Sequence, residues 1–278
     1  MEHIKSREKS TEPRPRKSLG QHFLNDTGIA NKIISKAGLL SSDFVLEIGP
    51  GRGALTLPLA RTVAHVVAVE KDSELIPFLK KKLERAGVSN VTLINQDILF
   101  WDFNEIRIFC KGKIKAIGNL PYNISSPLLE KFIENRKLVS RAIFMFQSEV
   151  AQRLTASPGR KNYGALTLLI RYHAFLKVLF EVPRYAFYPR PNVDSTVLWL
   201  DFERPYPRRA SKEDHFRKVV KSAFSHRRKT LLNSIISSGS FGDRESVLSA
   251  LKRCGIDSGR RAETLDMEEF LCLSDTLN

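Results

Sequence analysis

Phe44-Val45-Leu46-Glu47-Ile48 runs straight into Gly49-Pro50-Gly51-Arg52-Gly53, and no other stretch narrows the fold so far. A short β-rich run closed by glycines, then the Ala54-Leu55-Thr56-Leu57 pattern with Leu59 and Ala60, reads as strand, tight loop and helix. The unit recurs. Residues 65–70 form the next strand, 73–86 the next helix, and 91–94, 114–117 and 142–146 three further strands. Strands separated by helical segments predict a parallel sheet covered on both faces. Residues 178–182 and 196–202, joined by the Pro-rich loop 183–195, complete a seven-stranded α/β sheet.

The 278 residues suffice for about two domains at roughly 150 residues each. A break falls at Arg204-Pro205-Tyr206-Pro207-Arg208-Arg209, where two prolines separate the last strand from a helical pattern. The expected organisation is a basic, flexible arm over 1–17, an α/β domain over 18–204 and a small all-α domain over 205–278. Charge marks out a partner: 45 Lys plus Arg against 30 Asp plus Glu leave a net +15, of which 13 fall within 151–192 and 205–232. Such clustering points to a polyanion, nucleic acid ahead of an anionic membrane surface. Cys110, Cys254 and Cys272 show neither a disulfide framework nor metal spacing, so no metal site is expected and the setting is read as reducing and cytoplasmic. No run nears the roughly 18 apolar residues of a membrane helix, and the first 17 residues do not resemble a signal peptide.

In parallel sheets ligands gather at the carboxyl ends of the strands, so polar residues there are the candidates. Gly49, Gly51 and Gly53 let a ligand approach the backbone, although glycines also serve plain turns. Glu70 ends the second strand, about 20 residues on, where a carboxylate can accept both hydroxyls of a ribose; a solvated strand end is the alternative. Asp97 follows the third strand, placed either to accept from an adenine amino group or to cap the next turn. Together they describe a pocket for an adenosine-bearing cofactor. The spacing lacks the Gly-x-x-Gly half of a pyrophosphate loop, which favours S-adenosylmethionine over a nicotinamide dinucleotide.

Asn119-Leu120-Pro121-Tyr122-Asn123 follows the fourth strand. An adenine amine is a poor nucleophile because its lone pair is delocalised into the ring. The Asn119 amide oxygen and the carbonyl of Leu120, held extended by Pro121, can accept its N–H bonds and favour the pyramidal form, while Tyr122 offers a face for an extruded base. An ordinary Asn-Pro turn is the bland reading of the same residues.

Ser18-Leu19-Gly20-Gln21-His22-Phe23-Leu24, Glu47-Ile48-Gly49-Pro50-Gly51, Asn119-Leu120-Pro121-Tyr122-Asn123, Phe187-Tyr188-Pro189-Arg190-Pro191-Asn192-Val193-Asp194-Ser195 and Phe224-Ser225-His226-Arg227-Arg228-Lys229-Thr230, in this order, resemble the ribosomal RNA adenine N6,N6-dimethyltransferase family, and within it the small-subunit dimethyladenosine transferases. The resemblance runs from about residue 16 to the C-terminus. It implies a Rossmann-like methyltransferase domain with a helical C-terminal domain, using S-adenosylmethionine to dimethylate two adjacent adenosines in a hairpin loop near the 3′ end of small-subunit rRNA. By the same resemblance His22, Leu24, Gly49, Glu70, Asp97 and Asn119 meet the cofactor, and Tyr122 and Phe187 sandwich the target base. Arg190, Arg227, Arg228 and Lys229 are the expected RNA contacts, and a monomer acting on a preassembled particle is the expected state. The chain departs from the family at His22, often Asn, and at Arg190, usually Pro. An erythromycin-resistance methyltransferase acting on large-subunit rRNA shares the N-terminal motifs, but the 224–230 stretch argues against it. Intact Asn119, Pro121 and Tyr122 argue against a non-catalytic binder.

Overall fold

The computed structural model describes residues 12–121 and 124–277. Seven strands form one sheet: β2 (Phe44–Ile48), β3 (His65–Glu70), β4 (Val91–Asn95), β5 (Ile114–Asn119), β6 (Val139–Gln147), β7 (Phe175–Val182) and β9 (Ser195–Asp201), in the order β4-β3-β2-β5-β6-β9-β7. The pairs among β2 to β6 are parallel. β9 runs antiparallel to both its neighbours, so the seven-stranded sheet is mixed, with the parallel part at β2 to β6. The 183–194 loop returns the chain from β7 directly alongside β9 as a hairpin, with residues 187–188 diverted to pair with residues 23–24. A separate two-stranded ribbon pairs β1 (Phe23–Leu24) with β8 (Phe187–Tyr188), so the segment before the first sheet strand is tied to the Pro-rich loop.

Side chains alternate across the sheet. Val45, Val66 and Ala68 face α1 (Thr27–Lys36) and α2 (Thr56–Ala60), whose Ile33, Ile34 and Leu59 close one core. Leu46, Val67, Val69 and Ala116 face the other way, towards α4 (Ser125–Glu134) and α6 (Ala165–His173). α3 (Leu75–Arg85) follows β3 and α5 (Ser148–Thr155) follows β6. Gly118 is required by close approach: a Cβ there would lie 2.8 Å from the Ile48 carbonyl oxygen of the neighbouring strand.

After β9 come α7 (Glu213–Ala223), α8 (Leu231–Ser237), α9 (Arg244–Arg253) and α10 (Met267–Thr276). The second core continues into them without a gap: Phe132, Phe144 and Phe202 belong to the same buried cluster as Phe216, Leu231, Leu251 and Phe270. Charged pairs line the seam, with Arg217 reaching Glu130 and Glu134, and Lys221 reaching Glu130.

Three expectations change. The spacing of Phe216, Val219, Val220, Phe224 and Leu231 predicts one helix that buries these and exposes His226-Arg227-Arg228-Lys229, but the helix is broken: α7 ends at Ala223, Phe224 stacks on Phe270 at 5.7 Å, and Thr230 caps the start of α8 by accepting from the Asn233 amide. Residues 226–229 therefore form a turn. Cys254 and Cys272, read as unpaired, are joined in a disulfide with Cα atoms 5.8 Å apart; eighteen residues separate them in the chain, a spacing that carries no local signal. Of the flexible arm expected over 1–17, residues 1–11 lie outside the described residues, and 12–17 are fastened to the body. Arg52 donates to the Pro13 carbonyl oxygen at 2.7 Å and pairs with Glu12, and Arg16 pairs with Asp72.

Candidate active site

The carboxyl ends of β2 to β5 open into a cleft, closed on the side away from the sheet by residues 18–24. His22, Leu24, Gly49, Gly51, Glu70, Asp97, Asn119, Leu120 and Pro121 all line it. Sequence positions up to about a hundred apart thus converge because each closes a strand or opens the loop after it.

The glycine loop is locked to the end of β3. Glu70, 7% exposed, accepts from the Gly51 amide at 3.1 Å and from the Asp72 amide at 2.9 Å. Burial raises its pKa, and the two amides offset part of that. Gly51 has φ +56°, and a Cβ on it would sit 3.1 Å from the Phe23 ring, so glycine is needed for both shape and space.

Glu47, on β2, is 1% exposed and lines the cleft. Its Oε2 has no hydrogen-bond partner among the described residues. Burial, with the charge of Glu70 adding to it, lifts its pKa to about 8; the nearby Thr56 hydroxyl pulls the other way, yet Thr56 Oγ1 is itself unpartnered. A buried acid on the cleft wall with an unpartnered oxygen is one whose ionisation a cationic ligand would favour. In the sequence Glu47 stands out only as the start of the glycine motif. The signal available was its place as the lone acid in an otherwise apolar strand.

Asp97 divides its oxygens: Oδ1 accepts from the Leu99 amide at 3.0 Å and Oδ2 pairs with Lys71 at 2.9 Å. Burial opposes its ionisation, but Lys71 and the Leu99 amide hold its pKa below the usual carboxylate range. The turn-capping role is therefore present at a residue that also lines the cleft. Asn119 ends β5 and donates its amide NH2 to the His22 carbonyl oxygen at 2.8 Å, which leaves its Oδ1 as an acceptor. The His22 ring donates from Nδ1 to the Pro189 carbonyl oxygen at 2.7 Å. His22 therefore links the β5 corner to the Pro-rich loop, through its backbone on one side and its ring on the other.

The structure does not bring Phe187 into the cleft. Its side chain is 4% exposed and packs in the core with Leu24, Val182 and Val197, because β8 alternates and Tyr188 takes the outward position at 54% exposed. Tyr188 faces the guanidinium of Arg52, 5.8 Å from its ring, and Arg52 in turn lies 4.6 Å from the Phe23 ring. The expected face of Tyr122 lies outside the described residues. Of the expected RNA contacts, Arg190 is exposed on the Pro-rich loop, while Arg227, Arg228 and Lys229 are exposed together on the turn before α8. Arg227 donates to the Lys161 carbonyl oxygen and lies 3.9 Å from Glu263, and Lys229 donates to Ser237 Oγ at 3.0 Å. Arg227 thus bridges the loop before α6 and the C-terminal helices. No group of three or more metal-ligating side chains occurs among the described residues, and none of their helices is long and apolar enough to cross a membrane.

A sheet of this order, with an adenosine-sized set of acceptors at the ends of β2, β3 and β4 and an Asn-Leu-Pro corner after β5, defines a Rossmann-like, S-adenosylmethionine-dependent methyltransferase. The residues fit that cofactor: Gly51 keeps a left-handed backbone at φ +56° on the cleft wall, and the unpartnered Glu47 carboxyl oxygen there suits a ligand bearing an ammonium group. A family model described as ribosomal RNA adenine dimethylase matches residues 13–278, and the chain belongs to that family. The ribosomal RNA small subunit methyltransferases A of Desulforapulum autotrophicum and Pelotomaculum thermopropionicum are similar to it at 46% and 48% identity, each over 94% of this chain and 92% and 91% of theirs. Among solved structures, a dimethyladenosine transferase from Plasmodium falciparum superposes with a TM-score of 0.76 at 30% identity over 91% of this chain and 96% of that one. The 23S rRNA methyltransferase ErmE superposes with a TM-score of 0.70 at 26% identity over 92% and 99%. The chain is thus an rRNA adenine dimethyltransferase that takes its methyl groups from S-adenosylmethionine.

Proposed function

We propose that the substrate is small-subunit rRNA, with two adjacent adenosines of its 3′-terminal hairpin loop dimethylated at N6 during subunit biogenesis. The names of the curated relatives at 46% and 48% identity support the small subunit. The site observation that carries the chemistry is the Asn119 amide, oriented by one N–H bond to the His22 carbonyl so that its oxygen remains for the substrate.

When bound, S-adenosylmethionine supplies a methyl group already activated by its sulfonium. Glu70 would hold the ribose hydroxyls, Asp97 the adenine amine and Glu47, once ionised, the ammonium of the amino-acid end. Asn119 Oδ1 and the Leu120 carbonyl accept the two N–H bonds of the target amine, which localises its lone pair for attack. Pro121 keeps Leu120 extended, and the amine proton leaves to solvent after transfer. Tyr122 is assigned to stacking on sequence grounds. The division into 18–204 and 205–278 is proposed as catalytic and RNA-docking parts of a monomer working in the cytoplasm, with Arg190, Arg227, Arg228 and Lys229 on rRNA phosphates.

The likeness to ErmE favours a second reading, methylation of large-subunit rRNA. The test is to supply purified protein and labelled cofactor with small and large subunits lacking the modification. Label in the small subunit, mapped by primer extension to adjacent adenosines of the 3′ hairpin, is the expected result. Label confined to the large subunit would overturn the proposal.

A further inference from the structure

Residues 18–24 form one wall of the cofactor cleft, and the residues just before them are drawn across to the end of β3. The anchor there is Asp72, whose side chain is 2% exposed. Its Oδ2 accepts from Gln21 Nε2 at 2.7 Å and its Oδ1 from Arg16 at 3.2 Å. Gln21 closes the loop by accepting from the Arg16 backbone amide at 2.7 Å. The Asp72 backbone amide, meanwhile, donates to Glu70, the acid assigned to the ribose. One residue therefore holds the wall with its side chain and the ribose carboxylate with its main chain. A charge-assisted carboxylate bond to arginine is among the stronger polar contacts available to an exposed segment; Arg16, 46% exposed, also reaches Glu74 at 3.6 Å, and the Glu74 amide donates to the same Asp72 oxygen at 3.2 Å.

We propose that Asp72 is a positioning residue for the methyl transfer: it latches residues 16–21 as a strap beside the cofactor, and the cofactor enters and its spent form leaves when that latch opens. The proposal rests on the cleft being the cofactor site. Repeated transfer to one RNA requires the spent cofactor to be replaced each time, so the latch sets the interval between transfers, as closing segments do in many enzymes.

S-adenosylhomocysteine is the probe, its association and dissociation followed by stopped-flow fluorescence on the full-length protein. In Asp72→Asn the Arg16 pair loses its charge, and both the association and dissociation rates should rise, dissociation by about tenfold, with a smaller change in equilibrium affinity. Arg16→Ala should shift both rates the same way by less, and Asp72→Glu, which keeps the charge, should recover part of the wild-type slowness. Bound S-adenosylhomocysteine should protect the wild type from trypsin at Arg16 and Lys17, and the protection should be lost in Asp72→Asn. A residue that merely supports the fold would weaken affinity without speeding association. If Asp72→Asn fails to fold, Arg16→Ala and Gln21→Ala decide. Wild-type rates in the folded variants would overturn the latch, whereas failure of the wild type to bind S-adenosylhomocysteine would overturn the assignment of the cleft itself.

Discussion

Glu47 shows how a single buried acid couples stability to binding. An unfolded glutamate ionises near 4.5, whereas Glu47 keeps its proton up to about 8 because it is buried beside Glu70. Below 4.5 both states are protonated and nothing is lost. Between the two values folding takes up a proton, so the stability of the cofactor-free protein falls as pH rises, by at most about 1.4 kcal/mol per pH unit, and the loss is complete above about 8. Glu47→Gln should therefore melt higher than the wild type at pH 8 and no higher at pH 4.5, while binding S-adenosylmethionine more weakly. Calorimetry of wild-type binding at pH 7 in buffers of different ionisation enthalpy should show a proton released. Asn119→Ala should lower kcat by about a hundredfold, as expected for a lost preorganised dipole, with S-adenosylhomocysteine affinity far less changed; turnover near wild type on assembled subunits would remove Asn119 from the chemistry. For Phe187 burial predicts a structural effect. Phe187→Ala should cost about 3 to 5 kcal/mol of stability, and Phe187→Leu should keep its turnover per folded molecule. A stable Phe187→Leu protein with turnover lowered more than tenfold would show that the ring leaves the core to meet the base.

At the level of elements, the strands were legible because each is a short apolar run ending in a glycine or a polar residue, and Glu70, Asp97 and Asn119 were legible because they stand at those ends. Pairings between distant segments were not. Nothing in the local pattern around Gln21 announces Asp72, fifty-one residues away, and a two-residue strand such as β8 is too short for period-two alternation to say whether Phe187 or Tyr188 points inward. The stretch 216–231 misled for a related reason: Leu231 is buried and Phe224 half-buried, as on one side of a continuous helix, but the chain turns between them to start α8. That turn puts Arg228 and Lys229 at a helix junction beside Arg227. Replacing all three with Ala should weaken small-subunit binding and reduce the slope of log K against log salt, by roughly 0.9 or less for each phosphate no longer neutralised. Because Arg227 also bridges to Lys161 and Glu263, the triple variant should lose some thermal stability, and a melt alongside the salt titration separates the two effects. Unchanged affinity and slope in a stable triple variant would place the RNA footprint elsewhere, with 151–192 next to be tested.

At the scale of the whole molecule, the prolines at 205 and 207 suggest a seam, yet the buried cluster passes through it. Phe132 meets Phe144 and Phe202 in edge and stacked geometries, and Tyr172 packs on Phe216 of α7 with ring centres 4.5 Å apart. A chain ending at residue 204 should therefore expose the far side of α4 and α6 and accumulate in the insoluble fraction. Recovery of that fragment as a stable protein with a cooperative melt would show that the two parts fold independently. The shared core also bears on how such a chain can change over generations. Were the sheet and the C-terminal helices separate modules, recombination could pair either with a new partner at once. Here a transplanted set of helices would meet a foreign core where Phe216 packs on Tyr172, so exchanging the whole part carries a packing cost that substitutions on the exposed surface do not.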